Sequence, residues 1–243
     1  MLKRVGWVLL TVILFCFEAK EIHPIFVKMP KDYIHLDRVR VANFTVSNTS
    51  AEYKAVEVNV KGRSHDKNRK EWLSENDDFI VIPAQFVLGP QQERVVSLKW
   101  VGDMDFKTEK AYRVVTEEVL FKKDKNNADN DKSAKVKIKL RFVNSFYVKP
   151  KNINPKIIAK SFKVKGEKHA LTLENIGSEH QIVKHFKLDI LHKNKKIKTI
   201  DVNNEAIKGS QNLLPGDALN VAIASDGLSK IKKYEVRLHS LND

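Results

Sequence analysis

The stretch Lys135-Val-Lys-Ile-Lys-Leu-Arg-Phe142 alternates strictly between basic and apolar residues. Because successive side chains of a β-strand point to opposite faces, this pattern predicts a strand with one apolar face and one positively charged face. An alternation of this kind does not give a coherent apolar stripe on a helix. The strand therefore either covers part of its own core or is offered to a partner. Its apolar residues are Val136, Ile138, Leu140 and Phe142.

Strand-like runs also dominate the rest of the first half of the chain. They are rich in Val, Ile, Phe and Tyr, and turn residues such as Gly62, Gly89-Pro90 and Gly102-Asp103 separate them. We find no amphipathic helix of three turns in this half. About seven short strands at this spacing predict a two-sheet sandwich of the immunoglobulin kind. The runs are 25–28, 39–46, 55–60, 79–82, 93–100, 111–121 and 136–148.

Two prolines among polar residues at 149–156 predict a domain boundary. A second series of strand-like runs follows and predicts another small all-β domain of about 90 residues. We therefore place the first domain at residues 20–149 and the second at residues 150–243.

The N-terminal residues 1–19 have the pattern of a secretory signal peptide. Two basic residues precede an apolar run from Val5 to Phe17, and Ala19 offers a small residue for cleavage. This run is shorter than the about 20 residues that span a bilayer, so membrane contact is expected only through the signal peptide. An uncleaved membrane anchor is the alternative. Cleavage after Ala19 removes the only cysteine, so the exported chain would fold without a disulfide.

The formal net charge of +14 comes mostly from lysine and raises the question of an acidic partner. The lysines are spread along the chain and interleaved with acidic residues. No recognition-helix pattern, zinc-finger spacing or aromatic RNA-binding motif accompanies them. We interpret the charge as a solvated surface and expect no nucleic-acid partner.

The sequence gives little support for catalysis. His180 and His185 lack cysteine or acidic neighbours at metal-ligand spacing, and the exported chain has no cysteine nucleophile. Neither a Gly-x-Ser-x-Gly motif nor a phosphate-binding glycine loop is present. We therefore predict no enzyme, no metal site and no cofactor.

A series of short motifs runs through nearly the whole exported chain, in an order and spacing that are more specific than any one of them. They are Phe26-Val-Lys-Met-Pro30, Ala42-Asn-Phe-Thr-Val-Ser-Asn48, Phe79-Ile-Val-Ile-Pro83, Leu88-Gly-Pro90, Glu93-Arg-Val-Val-Ser-Leu98, Glu109-Lys-Ala-Tyr-Arg113, Phe146-Tyr-Val-Lys-Pro150, Leu173-Glu-Asn-Ile-Gly177 and Asn212-Leu-Leu-Pro-Gly216. This series resembles the periplasmic chaperones of the chaperone–usher pilus pathway.

The resemblance implies an all-β fold of two immunoglobulin-like β-sandwich domains, set at an angle and joined by a short proline-containing hinge. Members of this family bind unfinished pilus or fimbrial subunits in the periplasm. Each subunit lacks its last strand; the chaperone lends a strand of its own and delivers the subunit to an outer-membrane usher.

The resemblance also implies roles for particular residues. The apolar residues of the alternating strand, Val136, Ile138, Leu140 and Phe142, would enter the open groove of a subunit. A basic residue near the hinge end of this strand would hold the C-terminal carboxylate of the subunit, and Arg141 is the candidate. A second anchoring cation is expected on the first strand, where Lys28 and Lys31 are the nearest basic residues. Glu109 would form a salt bridge between the domains, with a partner that the sequence leaves open.

Two alternatives remain open at this stage. The alternating strand could be an ordinary edge whose apolar face covers its own core. The whole chain could be a secreted or membrane-anchored β-sandwich module for adhesion or structure. Neighbouring genes for an usher and for pilus subunits would favour the chaperone.

Overall fold

The computed structural model describes residues 25–119, 139–165, 168–203, 207, 210–224 and 234–241. All regular elements in these ranges are β-strands. They form two groups, each with its own cluster of buried apolar side chains. The predicted signal peptide lies outside the described residues. No helix in the described part is long and apolar enough to cross a membrane.

The first group contains ten strands in two facing sheets. One sheet has the order β1-β3-β8-β6, and the other has the order β2-β10-β9-β4-β5, with β7 also pairing with β4. The strands are β1 (Ile25–Lys28), β2 (Tyr33–His35), β3 (Val41–Asn48), β4 (Lys54–His65), β5 (Glu71–Ser74), β6 (Phe79–Ile82), β7 (Gln85–Leu88), β8 (Glu93–Trp100), β9 (Lys110–Val119) and β10 (Arg141–Lys149).

Alternation of apolar and polar residues decides which side of each sheet faces the core. In β3 and β8 the buried residues are every second one, and the same holds along residues 56–60 of β4. The inner faces of the two sheets meet through side chains that are almost fully buried. Prominent among these are Phe44, Val46, Val58, Val96, Leu98, Val114 and Phe146.

The first segment of the chain changes sheet between β1 and β2. The strand β1 pairs antiparallel with β3, whereas β2 pairs parallel with β10 in the opposite sheet. The β2 pairing covers only residues 147–149 of β10, while β9 pairs with β10 along residues 141–148. Among the described residues, no strand therefore pairs with the outer edge of β10 at residues 141–146.

The second group contains eight strands. The three-stranded sheets β11-β12-β17 and β15-β14-β18 enclose a core built around Leu171, Phe186, Leu188, Ile190 and Val221. A two-stranded sheet, β13-β16, completes this group. The strands are β11 (Ile157–Lys165), β12 (Lys168–Asn175), β13 (Gln181–Ile182), β14 (Phe186–His192), β15 (Lys195–Val202), β16 (Asn212–Leu213), β17 (Ala218–Ala224) and β18 (Glu235–Leu241).

In each group a buried asparagine at the end of a strand forms hydrogen bonds with the backbone of neighbouring turns. The side-chain amide of Asn48, which ends β3, donates to the carbonyls of Leu88 and Gly89. The amide of Asn175, which ends β12, donates to the carbonyls of Leu213 and Glu179. Each asparagine therefore satisfies backbone groups that would otherwise be buried without a partner.

Replacing Asn175 with alanine should lower the free energy of unfolding by about 2 kcal/mol. The backbone carbonyls of Leu213 and Glu179 would lose the side-chain amide that donates to them. In a chain of this size that loss corresponds to a fall of about 4–8 °C in the thermal midpoint. Asn220→Ala is the matched control, since it removes only an exposed hydrogen bond with Thr172. Equal midpoints for the two variants would contradict the assigned role of Asn175.

Candidate functional site

The alternating strand of the sequence is only partly within the described residues. Val136 and Ile138 lie outside them. Leu140 immediately precedes β10, Phe142 belongs to it, and both side chains are half-buried. Both pack against the core of the first group. Each side chain is therefore partly covered by its own sandwich and partly accessible to solvent.

The backbone of β10 beside these side chains has edge groups with which no described strand pairs. Pairing with β9 extends from Val148 back to Arg141, and the amide of Glu118 still donates to the carbonyl of Leu140 at 3.0 Å. On the opposite edge, the amide of Tyr147 donates to the carbonyl of Asp32, and β2 continues the pairing from there toward Lys149. An edge strand with unpaired amides and carbonyls is a template for another strand.

The three basic residues singled out from the sequence are exposed. Arg141 lies on the outer face of its sheet, with its side chain 55% exposed and its Nε 3.9 Å from Oε2 of Glu117. Lys139 approaches the same carboxylate at 3.4 Å. Lys28 ends β1 and Lys31 follows that strand, and both are exposed. The structure therefore places Arg141 beside an acidic side chain and a second cation.

A pair of arginines that the sequence interpretation did not assign lies nearer the hinge, on the outer face of the same sheet. Nε of Arg63 donates to Oε1 of Glu71 at 2.6 Å. Nε and Nη2 of Arg113 donate to the same oxygen at 3.1 and 2.6 Å. Two further nitrogens reach β10, where Arg113 Nη1 donates to Ser145 Oγ at 2.6 Å and Arg63 Nη1 to Tyr147 OH at 3.2 Å. We call Arg63, Arg113 and Glu71 the arginine cluster.

Electrostatics hold the carboxylate of this cluster in its charged form. Burial by itself would raise the pKa of Glu71, but hydrogen bonds and charges from Arg113 and Arg63 outweigh it and lower the pKa. The Arg63 side chain is only 3% exposed, and a guanidinium removed from water needs such a partner. Two cations share one carboxylate, so the arginine cluster keeps an excess of positive charge next to β10.

Sequence alone could have indicated only one of the three residues of this cluster. Arg113 ends the motif Glu109-Lys-Ala-Tyr-Arg113, but its neighbours become clear only from the strand register, which aligns Lys61, Arg113 and Ser145 across β4, β9 and β10. Glu71 is separated from Arg113 by 42 positions. No local pattern links residues so far apart.

Glu109 lies where the two groups of strands meet. Its carboxylate is fully buried, with Oε1 2.6 Å from Nδ1 of His180 and Oε2 3.7 Å from Nζ of Lys149. Lys149 also binds Glu179 at 2.5 Å. Burial alone would lower the pKa of Lys149, but the hydrogen bond and charge of Glu179, with the charges of Glu109 and Asp32, raise it. The cluster of Glu109, Lys149, Glu179 and His180, here called the hinge cluster, joins the two domains.

A second set of contacts ties the turn before β5 to the second group. Asp217 Oδ2 lies 2.5 Å from Nη1 of Arg69 and 2.7 Å from Nδ1 of His65. Nη2 of Arg69 donates to the carbonyls of Ser210 and Asn212. A cavity of about 570 Å³ lies between the two groups, and its lining includes Arg63, His65, Glu109 and Asp217. The region next to the arginine cluster is therefore an open cleft between domains.

The described residues contain no group of three or more His, Cys, Asp or Glu side chains arranged to hold a metal ion. The predicted absence of cofactors and of catalysis stays a prediction.

Three comparisons place these features in context. Residues 34–154 match the family model described as "Pili and flagellar-assembly chaperone, PapD N-terminal domain". No curated protein matches the sequence significantly. Among solved structures, the Class 5 fimbriae chaperone CfaA has a TM-score of 0.59 at 12% identity, over 89% of this chain and 99% of CfaA.

Two solved complexes are also similar in fold. A chain of the CsuC–CsuE chaperone–tip adhesion subunit pre-assembly complex, from archaic Csu pili of Acinetobacter baumannii, has a TM-score of 0.56 at 14% identity, over 88% of this chain and 97% of that one. A chain of the Salmonella enterica SafA pilin–SafB chaperone complex has a TM-score of 0.53 at 15% identity, over 86% and 87%. The predicted all-β fold of immunoglobulin-like sandwiches is confirmed, and the chain belongs to the family of pili and flagellar-assembly chaperones.

Proposed function

We propose that the chain acts in the periplasm, where it binds pilus or fimbrial subunits by donor-strand complementation and delivers them to an outer-membrane usher. The observation that carries this proposal is the outer edge of β10 at residues 141–146, which no strand in the described ranges covers, with Leu140 and Phe142 half-buried beside it. A subunit that lacks one strand could pair with this edge and cover these side chains.

Burial of apolar side chains would favour such a contact. Fully burying a large apolar side chain contributes roughly 1.5–3 kcal/mol, and the alternating strand carries four of them. Leu140 and Phe142 already contact their own core, so their additional gain is smaller than this. Backbone hydrogen bonds along the edge add to the gain, whereas ordering of both partners opposes it. The partners of the similar chaperones support the same class of ligand, because the Csu complex contains a tip adhesion subunit and the Saf complex a pilin.

The arginine cluster is the better placed anchor for the C-terminal carboxylate of a subunit. Arginine binds a carboxylate through two parallel hydrogen bonds, and the strength of this interaction grows as water is excluded. The side chains of Arg63 and Arg113 are 3% and 19% exposed, compared with 55% for Arg141. We therefore propose Arg113 with Arg63 as the main anchor, with Arg141, Lys28 and Lys31 as weaker, solvent-screened contributors.

Arg113→Ala should weaken subunit binding by about 10-fold or more, and Arg141→Ala by only about 2–3-fold, because an exposed ion pair contributes little. Dissociation constants measured by calorimetry with a purified subunit would check this. Arg94→Ala, an exposed arginine on β8 in the other sheet, is the control. A larger loss for Arg141→Ala than for Arg113→Ala would move the anchor to Arg141.

One observation favours the alternative function of an adhesion or structural module. Leu140 and Phe142 pack against their own core, as they would in a strand that only completes its own sandwich. Expression of the tagged chain together with subunits encoded beside it, followed by purification, distinguishes the two functions. A stable one-to-one complex supports the chaperone, and absence of any complex supports the module.

A further inference from the structure

The carboxylate of Glu71 accepts hydrogen bonds from two arginines at once. Its Oε1 accepts three N–H groups from two guanidinium groups, which is the arrangement that a bound carboxylate anion would adopt. Within the described part of the chain, no other carboxylate is recorded within 4 Å of Arg63 or Arg113. The nearby Glu75 is instead paired with Lys61 and is largely exposed.

The carboxylate sits on a short strand at the edge of its sheet. Glu71 is the first residue of β5, a four-residue strand at the end of its sheet that pairs only with β4. The Glu71 side chain is 32% exposed, whereas the arginines beneath it are more buried. The preceding turn contains Arg69, whose φ of 67° is unusual for a residue with a side chain. Arg69 also contacts Asp217 in the second domain, so a movement of β5 would reach the domain interface.

We infer that Glu71 is an internal ligand that occupies the carboxylate site of Arg63 and Arg113 in the free protein and is displaced by the C-terminal carboxylate of a subunit. This inference rests on the proposed function for the identity of the displacing group. Without a subunit, Glu71 keeps the buried Arg63 paired. When a subunit binds, Glu71 competes with the subunit carboxylate for the two arginines and so lowers the affinity of the protein for the subunit. Tight binding is then restricted to partners whose carboxylate can displace Glu71.

Chemical rescue tests the site without any subunit. Glu71→Ala should lower the thermal midpoint, and 100 mM sodium acetate should restore about 3 °C of it relative to sodium chloride at equal ionic strength, since a ligand of the native state raises its stability. The wild-type protein should show no acetate-dependent shift, because its site is filled. Glu75→Ala is the matched control and should also show none. An equal acetate response in all three proteins, or none in Glu71→Ala, would overturn the inference.

Glu71→Gln provides a second measurement that does not depend on how well the alanine variant folds. With the negative charge removed, this variant should bind a purified subunit at least about 5-fold more tightly than the wild type, because the competing anion is gone. Unchanged or weaker binding would overturn the competition. Failure of the proposed function would appear differently, as absence of subunit binding by the wild-type protein itself.

Discussion

Leu140→Asp should abolish subunit capture while the free protein stays folded, with affinity falling by at least about 100-fold. The substitution removes an apolar contact that contributes less than the roughly 1.5–3 kcal/mol of a fully buried side chain, because Leu140 already packs against its own core. It would also force a carboxylate without a partner into an apolar groove, and this desolvation is the larger effect. Leu140 is only half-buried and immediately precedes β10, so the fold itself loses less than it would from a core substitution. The same result is expected for Ile138→Asp, which lies outside the described residues but follows the same alternation. Co-purification with a tagged variant, together with a thermal unfolding curve, measures both effects.

The matched control is Val143→Asp, on the opposite face of the same strand. Val143 is 43% exposed and points away from the core, so a charge there should leave capture close to that of the wild type. If Leu140→Asp still co-purified with a subunit at wild-type yield, β10 would not be the strand that is lent. If Val143→Asp abolished capture as well, binding would depend on the strand as a whole and not on its apolar face.

The second large effect concerns the hinge cluster. Lys149→Met should lower the free energy of unfolding by about 3 kcal/mol, because it leaves the fully buried carboxylate of Glu109 with His180 as its remaining close partner. The thermal midpoint should then fall by about 6–12 °C. Because Lys149 also binds Glu179 of the second domain, the two domains should unfold less cooperatively. Differential scanning calorimetry would resolve this as a broader transition or as two transitions.

Lys160→Met is the control for this experiment. It breaks the pair with Glu174, in which the lysine side chain is 55% exposed, and such pairs contribute about 0–1 kcal/mol. A midpoint for Lys149→Met that lies no lower than that of Lys160→Met would show that the hinge cluster adds nothing to stability.

Most of the fold could be predicted from residue patterns, because alternation over a whole sheet face is visible locally. The runs 25–28, 79–82 and 93–100 coincide with β1, β6 and β8. The short strands β2, β5 and β7 were not predicted, since three or four residues carry too little alternation to stand out. The predicted run 136–148 differs from β10, which begins at Arg141 and ends at Lys149.

The candidate site could be predicted much less well. The alternating pattern of the sequence identified Leu140 and Phe142 as candidate binding residues. Only the structure shows that both side chains already contact their own core. The arginine cluster depends on three strands that meet through long-range pairing, and the partners of Glu109 depend on how two domains dock. Such contacts follow from register and domain arrangement, neither of which a local pattern specifies.

The short parallel pairing of β2 with residues 147–149 of β10 has a consequence for any guest strand. It would block a guest strand from pairing beyond Phe146, which is the first residue of β10 on this edge without a described partner strand. Side chains alternate along a strand, so a guest that abuts β2 has its register fixed, and a slip of one residue would turn every one of its apolar side chains to solvent. If the proposed function holds, the inner end of β10 therefore sets the position of the subunit strand relative to the hinge.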